Sequence, residues 1–229
     1  MAPSRSLLEE LQDLIERTYD LERSVQDIGK FVIGDDGYRR LVEGRELIRV
    51  VHAAEPGPAV LVRQEAGGIL ASLYYPDWLI LQLERHPPLL RVDAENLPAL
   101  GLFVEELDHL LFLADRARQG RPVRLLELEF HANVTAELAA RLLWARQRRR
   151  ATLGEPERRW LRRHLRGDAG FGHLEAGVRA RYADAARLAE RYVDRLDRFP
   201  REARLPELRR FHRRTWGEHV EALGASGSY

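Results

Sequence analysis

The sequence contains no cysteine. That absence removes disulfides, thiolate zinc sites, iron–sulfur clusters and cysteine nucleophiles from consideration. Lysine is nearly missing too: Lys30 is the only one, and the basic residues are otherwise arginine, a bias that reads as high-GC codon usage rather than function. No window approaches the roughly 18 consecutive apolar residues that a membrane span needs. The opening MAPSRSLLEELQDLIERTYD carries acidic residues inside its apolar pattern and has no uninterrupted apolar core, so it does not read as a signal peptide. There is no Gly-x-Ser-x-Gly, no Rossmann fingerprint and no candidate Ser–His–acid set. Internal repeats and low-complexity linkers are also lacking. Together these lead to the expectation of a cytoplasmic, bacterial-type protein with no membrane association.

What remains is a chain of 229 residues, 45% hydrophobic and 32% charged, within the range of a soluble globular protein. One compact body is the simpler expectation at this length. The net charge of +1 conceals an asymmetry. Residues 1–140 hold 24 acidic and 15 basic side chains, a net of −9, and residues 141–229 hold 12 and 22, a net of +10. The chain therefore divides into an acidic region, 1–140, and a basic helical region, 141–229, expected to pack on it. Either the two halves attract each other within one fold, or the basic half meets an acidic partner such as a protein surface or nucleic acid.

The expected fold is α+β and mainly helical: a long N-terminal helix, a small antiparallel sheet and a C-terminal helical array. Leu7, Leu8, Leu11, Leu14, Ile15, Tyr19 and Leu21 recur at helical spacing, which predicts a helix over 5–31 closed by an apolar cluster at Ile28, Phe31, Val32 and Ile33. GDDG, residues 34–37, reads as a turn. YRRLVEG then reads as a short helical piece. ELIRVVHAA, PAVLVRQEA and ILASLYY read as about three antiparallel strands separated by EPGP and GG. PDWLILQLERHPP reads as a short helix, with Pro76 in its first turn and Pro87–Pro88 as its stop. Further helices are predicted near 95–118, 122–150, 155–166, 174–198 and 204–223.

The stretch LFVEELDHLLFLADRA, residues 102–117, places Glu105, Glu106 and His109 among leucines. Residues three and four apart share a helix face, so Leu102, Glu106, His109 and Leu113 form one stripe and Glu105, His109 and Phe112 another. A helix that is apolar nearly all round is usually central in its domain, and its polar groups then need a metal, an arginine or each other. The next helix offers Glu127 and His131, four apart, on the stripe of Val123, Val134 and Leu138. Glu129 lies on a different face of that helix. Carboxylate and imidazole suit Zn²⁺, Mn²⁺ or Fe²⁺, which makes Glu105, His109, Glu127 and His131 the candidate ligands. A di-metal carboxylate bundle would need a second Glu-x-x-His beside Glu106–His109, and the spacing of 127 and 131 does not supply it. Without a metal, His109 would donate to a backbone carbonyl, and Glu105 or Glu106 would pair with an arginine such as Arg141 or Arg146.

EELDH resembles the His-Glu-x-x-His helix of the zincin metallopeptidases with the first histidine replaced by Glu105. In the gluzincin branch the third ligand is a glutamate on the following helix, and Glu127 falls eighteen residues after His109. The order of elements over residues 45–140, a small sheet, the motif helix and then the glutamate helix, is similar as well. The resemblance implies Glu105, His109 and Glu127 as ligands and Glu106 as the general base of a metal-dependent hydrolase. The departure at Glu105 adds negative charge and leaves a bound ion less electrophilic. It therefore implies a degenerate zincin-like core kept for binding: a non-catalytic scaffold that engages a protein partner through its charge-split surface.

The most basic stretch, residues 142–167, offers a third reading, an arginine-rich nucleic-acid binder. Arg148, Arg149, Arg150, Arg159 and Arg163 would contact phosphates while Trp144 and Trp160 stack on bases. In the opposite reading the tryptophans are core and the arginines solvated. GDAGFGH, residues 167–173, lacks the Lys-Ser/Thr of a phosphate loop and reads as a connector. His212, Trp216 and His219 share a face of the predicted last helix and are possible extra ligands.

Overall fold

Leu11, Ile15 and Tyr19 are the buried stripe of the first helix, α1 (Leu7–Tyr19), in the computed structural model. The structure describes residues 5–22, 25–43, 49–50, 57–65, 68–166 and 176–224. A Ser6–Glu9 capping box opens α1, satisfying two of the amide groups that a helix start leaves unpaired. The helix ends well short of residue 31. Asp20 turns left-handed, with φ of 61°, and its N–H returns to the Glu16 carbonyl. Aspartate tolerates that conformation better than most residues, and nothing in the apolar spacing signals it. The expected apolar cluster becomes a 3₁₀ turn, Ile28–Phe31, and a two-residue strand, β1 (Val32–Ile33).

GDDG is not a free-standing turn. Asp35 and Asp36 open α2 (Asp35–Glu43), where acidic side chains favour the positive end of the helix. Tyr74 donates to the Asp35 carboxylate at 2.8 Å, and the Asp35 N–H donates to Asp77 at 3.3 Å.

The sheet is mixed and runs in the order β1-β4-β3-β2, with β2 Arg49–Val50, β3 Ala59–Glu65 and β4 Gly68–Tyr74. The expected antiparallel meander is present in β2–β3–β4. The addition is β1, parallel to β4 with Val32 opposite Leu73. Most of ELIRVVHAA lies outside the described residues. Val60 and Leu73 are buried, and both long strands lie against the central helix.

The remaining helices are α3 (Asp77–Arg85), α4 (Leu97–Arg118), α5 (Leu125–Gln147), α6 (Glu155–Arg166), α7 (Ala176–Asp197), α8 (Arg201–Arg213) and α9 (Trp216–Leu223). The single helix expected over 204–223 is two. The chain extends at Arg214, and Thr215 with Glu218 forms a second capping box that starts α9.

α4 and α5 occupy the centre. α4 touches β3, β4, α1, α3, α5 and α6, while α5 touches α1, α4, α6 and α7. Gly101 permits the α4–α6 approach: a Cβ there would stand 3.2 Å from Leu165 Cδ2 and 3.4 Å from its carbonyl oxygen. The switch from acidic to basic sequence at 140/141 falls in the middle of α5, and the main core draws on residues from both sides of it. No described helix is long and apolar enough to cross a membrane.

Candidate metal centre

Because α4 and α5 are covered on nearly every side, their polar residues are buried with the apolar ones. Glu106, Asp108, His109, Asp115 and Arg116 are buried on α4, and Glu127, Glu129, His131, Thr135 and Glu137 on α5. Apart from Glu137, which pairs with Arg141 and Arg162, they sort into two networks.

The first surrounds His109, whose side chain is 0% exposed. Its Nδ1 lies 3.3 Å from Glu106 Oε2, one turn back on the same helix. Its Nε2 faces α5 and lies 3.7 Å from Glu129 Oε2, another fully buried group. Glu105, also one turn back, completes the set: one donor atom each from Glu105, His109 and Glu129 lie within 4.8 Å of one another. Among the described residues no other three histidine or carboxylate side chains come together in this way. A tetrahedral ion with bonds of about 2.1 Å holds its donors about 3.4 Å apart, so the His109–Glu129 separation is already close to a ligand spacing.

α7 closes this network. Arg181 Nε stands 3.9 Å from Glu129 Oε1. Tyr182 is buried beside the same acids, and burial, followed by the charges of Glu129, Glu105 and Glu106, holds its phenol protonated far above the usual range. Burial by itself would lower the His109 pKa, but Glu106, with help from Glu129 and Glu105, more than offsets this and lifts it to about 9. Near neutral pH the proton on His109 is thus a counter-charge for the acids, and a metal ion would have to displace it.

The second network uses the residues that the sequence had assigned to the metal. Glu127 does not reach His109. It accepts from Arg116 Nη2 at 3.3 Å, and the same nitrogen donates to the carbonyls of His212 and Arg214 at 2.8 and 2.9 Å. His131 Nδ1 is 2.8 Å from Asp108 Oδ2, and its Nε2 is 3.0 Å from His212 Nδ1. His212 Nε2 in turn lies 3.0 Å from Asp115 Oδ2. Tyr19 donates to Thr135, which donates to Asp108. Burial pushes the His212 pKa down to about 4, against the pull of Asp115, and that of His219 to about 3.

Of the four expected ligands, α4 and α5 bring Glu105 and His109 together with Glu129, while Glu127 and His131 lie in the second network. Glu127 and Glu129 are two positions apart and leave the helix on different sides, and α5 is buried on both. The apolar stripe through Val134 and Leu138 thus marked one of two inward faces. A signal for the other was present in LLELEF, where Glu129 sits between Leu128 and Phe130. The expected arginine partners also differ: Arg141 pairs with Glu137 and Asp197, Arg146 reaches Glu10 at 4.0 Å, and among the described residues it is Arg181 that stands beside Glu129. His212 and His219 do not share a helix, since the break at Arg214–Thr215 lies between them, and neither joins the His109 group.

On the basic stretch, Arg148 and Arg150 both pair with Glu157 at 3.3 and 3.2 Å, and Arg159 with Glu155 at 3.7 Å. Arg149 and Arg163 are exposed. Trp144 is buried, its ring 4.9 Å from that of Trp160 and covered by the Arg148 guanidinium at 4.7 Å. GDAGFGH lies outside the described residues. No known protein family, curated protein or solved structure matches the chain, so the likeness to zincins rests on the Glu105–His109–Glu129 cluster alone.

Proposed function

We propose that this protein binds one divalent first-row metal ion, of the zinc, manganese or iron type, through Glu105, His109 and Glu129, and that the ion braces the helical core rather than catalysing a reaction. The observation that carries this reading is the orientation of His109. Its Nδ1 faces Glu106 and its Nε2 faces Glu129. A ligating imidazole is usually fixed in this way, one nitrogen donating to a carboxylate and the other left for the ion.

Two features favour binding over hydrolysis. Glu106, the base in a zincin-like mechanism, is turned toward His109 Nδ1 and so orients the ring. His109 and Glu129 are fully buried, whereas a catalytic ion keeps a position open to water and substrate. The charge split that motivated a protein partner is partly paired within the chain, one pair buried and two at the surface. Arg162 pairs with Glu137 at 2.8 Å, and Arg209 and Arg213 reach Asp20 at 3.7 and 3.4 Å.

Metal content tests the proposal. Protein purified without chelator, or reloaded after chelation, should hold about one Zn²⁺ or Mn²⁺ per chain, and its melting temperature should rise on loading. His109→Ala should lose both. An unchanged melting temperature at saturating Zn²⁺ and Mn²⁺, with no ion retained, would overturn it.

A further inference from the structure

Arg181 is an unusual neighbour for a metal site. It lies on α7, one residue before Tyr182, and is nearest to Oε1 of Glu129, whereas His109 is nearest to Oε2. At 3.9 Å the guanidinium is a Coulombic partner of Glu129 but too distant to be a hydrogen-bond donor to it. Its Nε is buried and makes no hydrogen bond with the described residues. Its guanidinium also lies loosely over the Tyr182 ring, 5.6 Å from the centroid. The side chain is 25% exposed, so its head can turn to water without moving α7, which is anchored by the buried Tyr182, Ala185, Leu188 and Ala189.

We infer that Arg181 sets the metal affinity of the centre, acting as a built-in cation that competes with the ion for the charge of Glu129. The inference rests on the metal reading above. A fixed positive charge beside a divalent ion repels it through a medium that screens less than bulk water. Because Arg181 is not hydrogen-bonded to Glu129, nothing in its geometry helps hold the carboxylate in a ligating pose. Its net effect is to weaken binding, so the centre fills at a higher ion concentration than its three donors alone would require.

The test is the affinity of the full chain for Mn²⁺ and Zn²⁺, measured by competition with a chromophoric chelator, in wild type, Arg181→Gln and Arg181→Lys. Arg181→Gln should bind about tenfold more tightly or better, and Arg181→Lys, which keeps the charge, should stay near wild type. Circular dichroism melts confirm that both variants fold. Equal or weaker binding by a folded Arg181→Gln variant overturns the role given to Arg181 while leaving the metal site intact. Tighter binding by Arg181→Lys to the same degree as Arg181→Gln overturns it as well, because charge would then not be the cause. A wild type that binds neither ion overturns both readings together.

Discussion

Arg116 holds a buried charge through one nitrogen, Nη2, while its Nε and Nη1 make no hydrogen bond with the described residues. It is 1% exposed, and one of its nitrogens serves two carbonyls and Glu127 while the guanidinium covers the Phe112 ring at 4.5 Å. Removing such a partner strands the others in a poorly solvating interior. Arg116→Met, which keeps most of the volume, should therefore lower stability by about 3–5 kcal/mol in urea unfolding, and a loss under about 1 kcal/mol would show that the network is slack. The same residue explains why the metal set was only half legible in the sequence. Helical spacing brings Glu105, Glu106 and His109 together because they lie on one helix. It cannot decide which of Glu127 and Glu129 faces them, because that depends on how α5 is rotated against α4, and Arg116 claims Glu127.

At the scale of elements, α3 to α7 followed from apolar periodicity, prolines and glycines, since each is long or sharply bounded. The missed features were local conformational choices: the left-handed Asp20, the acidic start of α2, and the Thr215 capping box that divides α8 from α9. The box was written in the sequence as Thr-x-x-Glu, but the apolar pattern runs across it and conceals it. Two buried histidines, His212 on α8 and His219 on α9, are held neutral by burial. Each binds a proton near its ordinary pKa of 6.5 when unfolded but only at about 4 and about 3 when folded. The unfolded chain therefore binds more protons below pH 6.5, and stability falls as pH falls through this window. His109 has the opposite sign. Its contribution is complete below 6.5 and is lost only as pH rises toward about 9, so it is nearly constant on the acid side. Between pH 7 and pH 5 the unfolding free energy should drop by roughly 2 kcal/mol for each of the two histidines, read as a lower urea midpoint. His212→Gln should flatten part of that slope. A midpoint that does not move over this range would mean that the two rings do not resist protonation.

Taken as a whole, the molecule pairs part of its charge asymmetry within the chain, both in its interior and at its surface. The acidic and basic stretches meet through α5, which spans both, and through pairs such as Arg162–Glu137, Arg181–Glu129 and Arg213–Asp20. The charge count was plain in the sequence, but its destination was not, because composition does not say which surfaces face each other. The Glu105–His109–Glu129 group has His109 and Glu129 buried and Glu105 half-buried, with α7 reaching it through Arg181. Mn²⁺ stoichiometry by equilibrium dialysis, compared between Glu129→Gln and Glu127→Gln, separates this centre from the one that the sequence stripe suggested. Glu129→Gln should abolish the bound ion, and Glu127→Gln should keep about one per chain at reduced stability. Retention of the ion by Glu129→Gln, with loss in Glu127→Gln, would contradict the site described here.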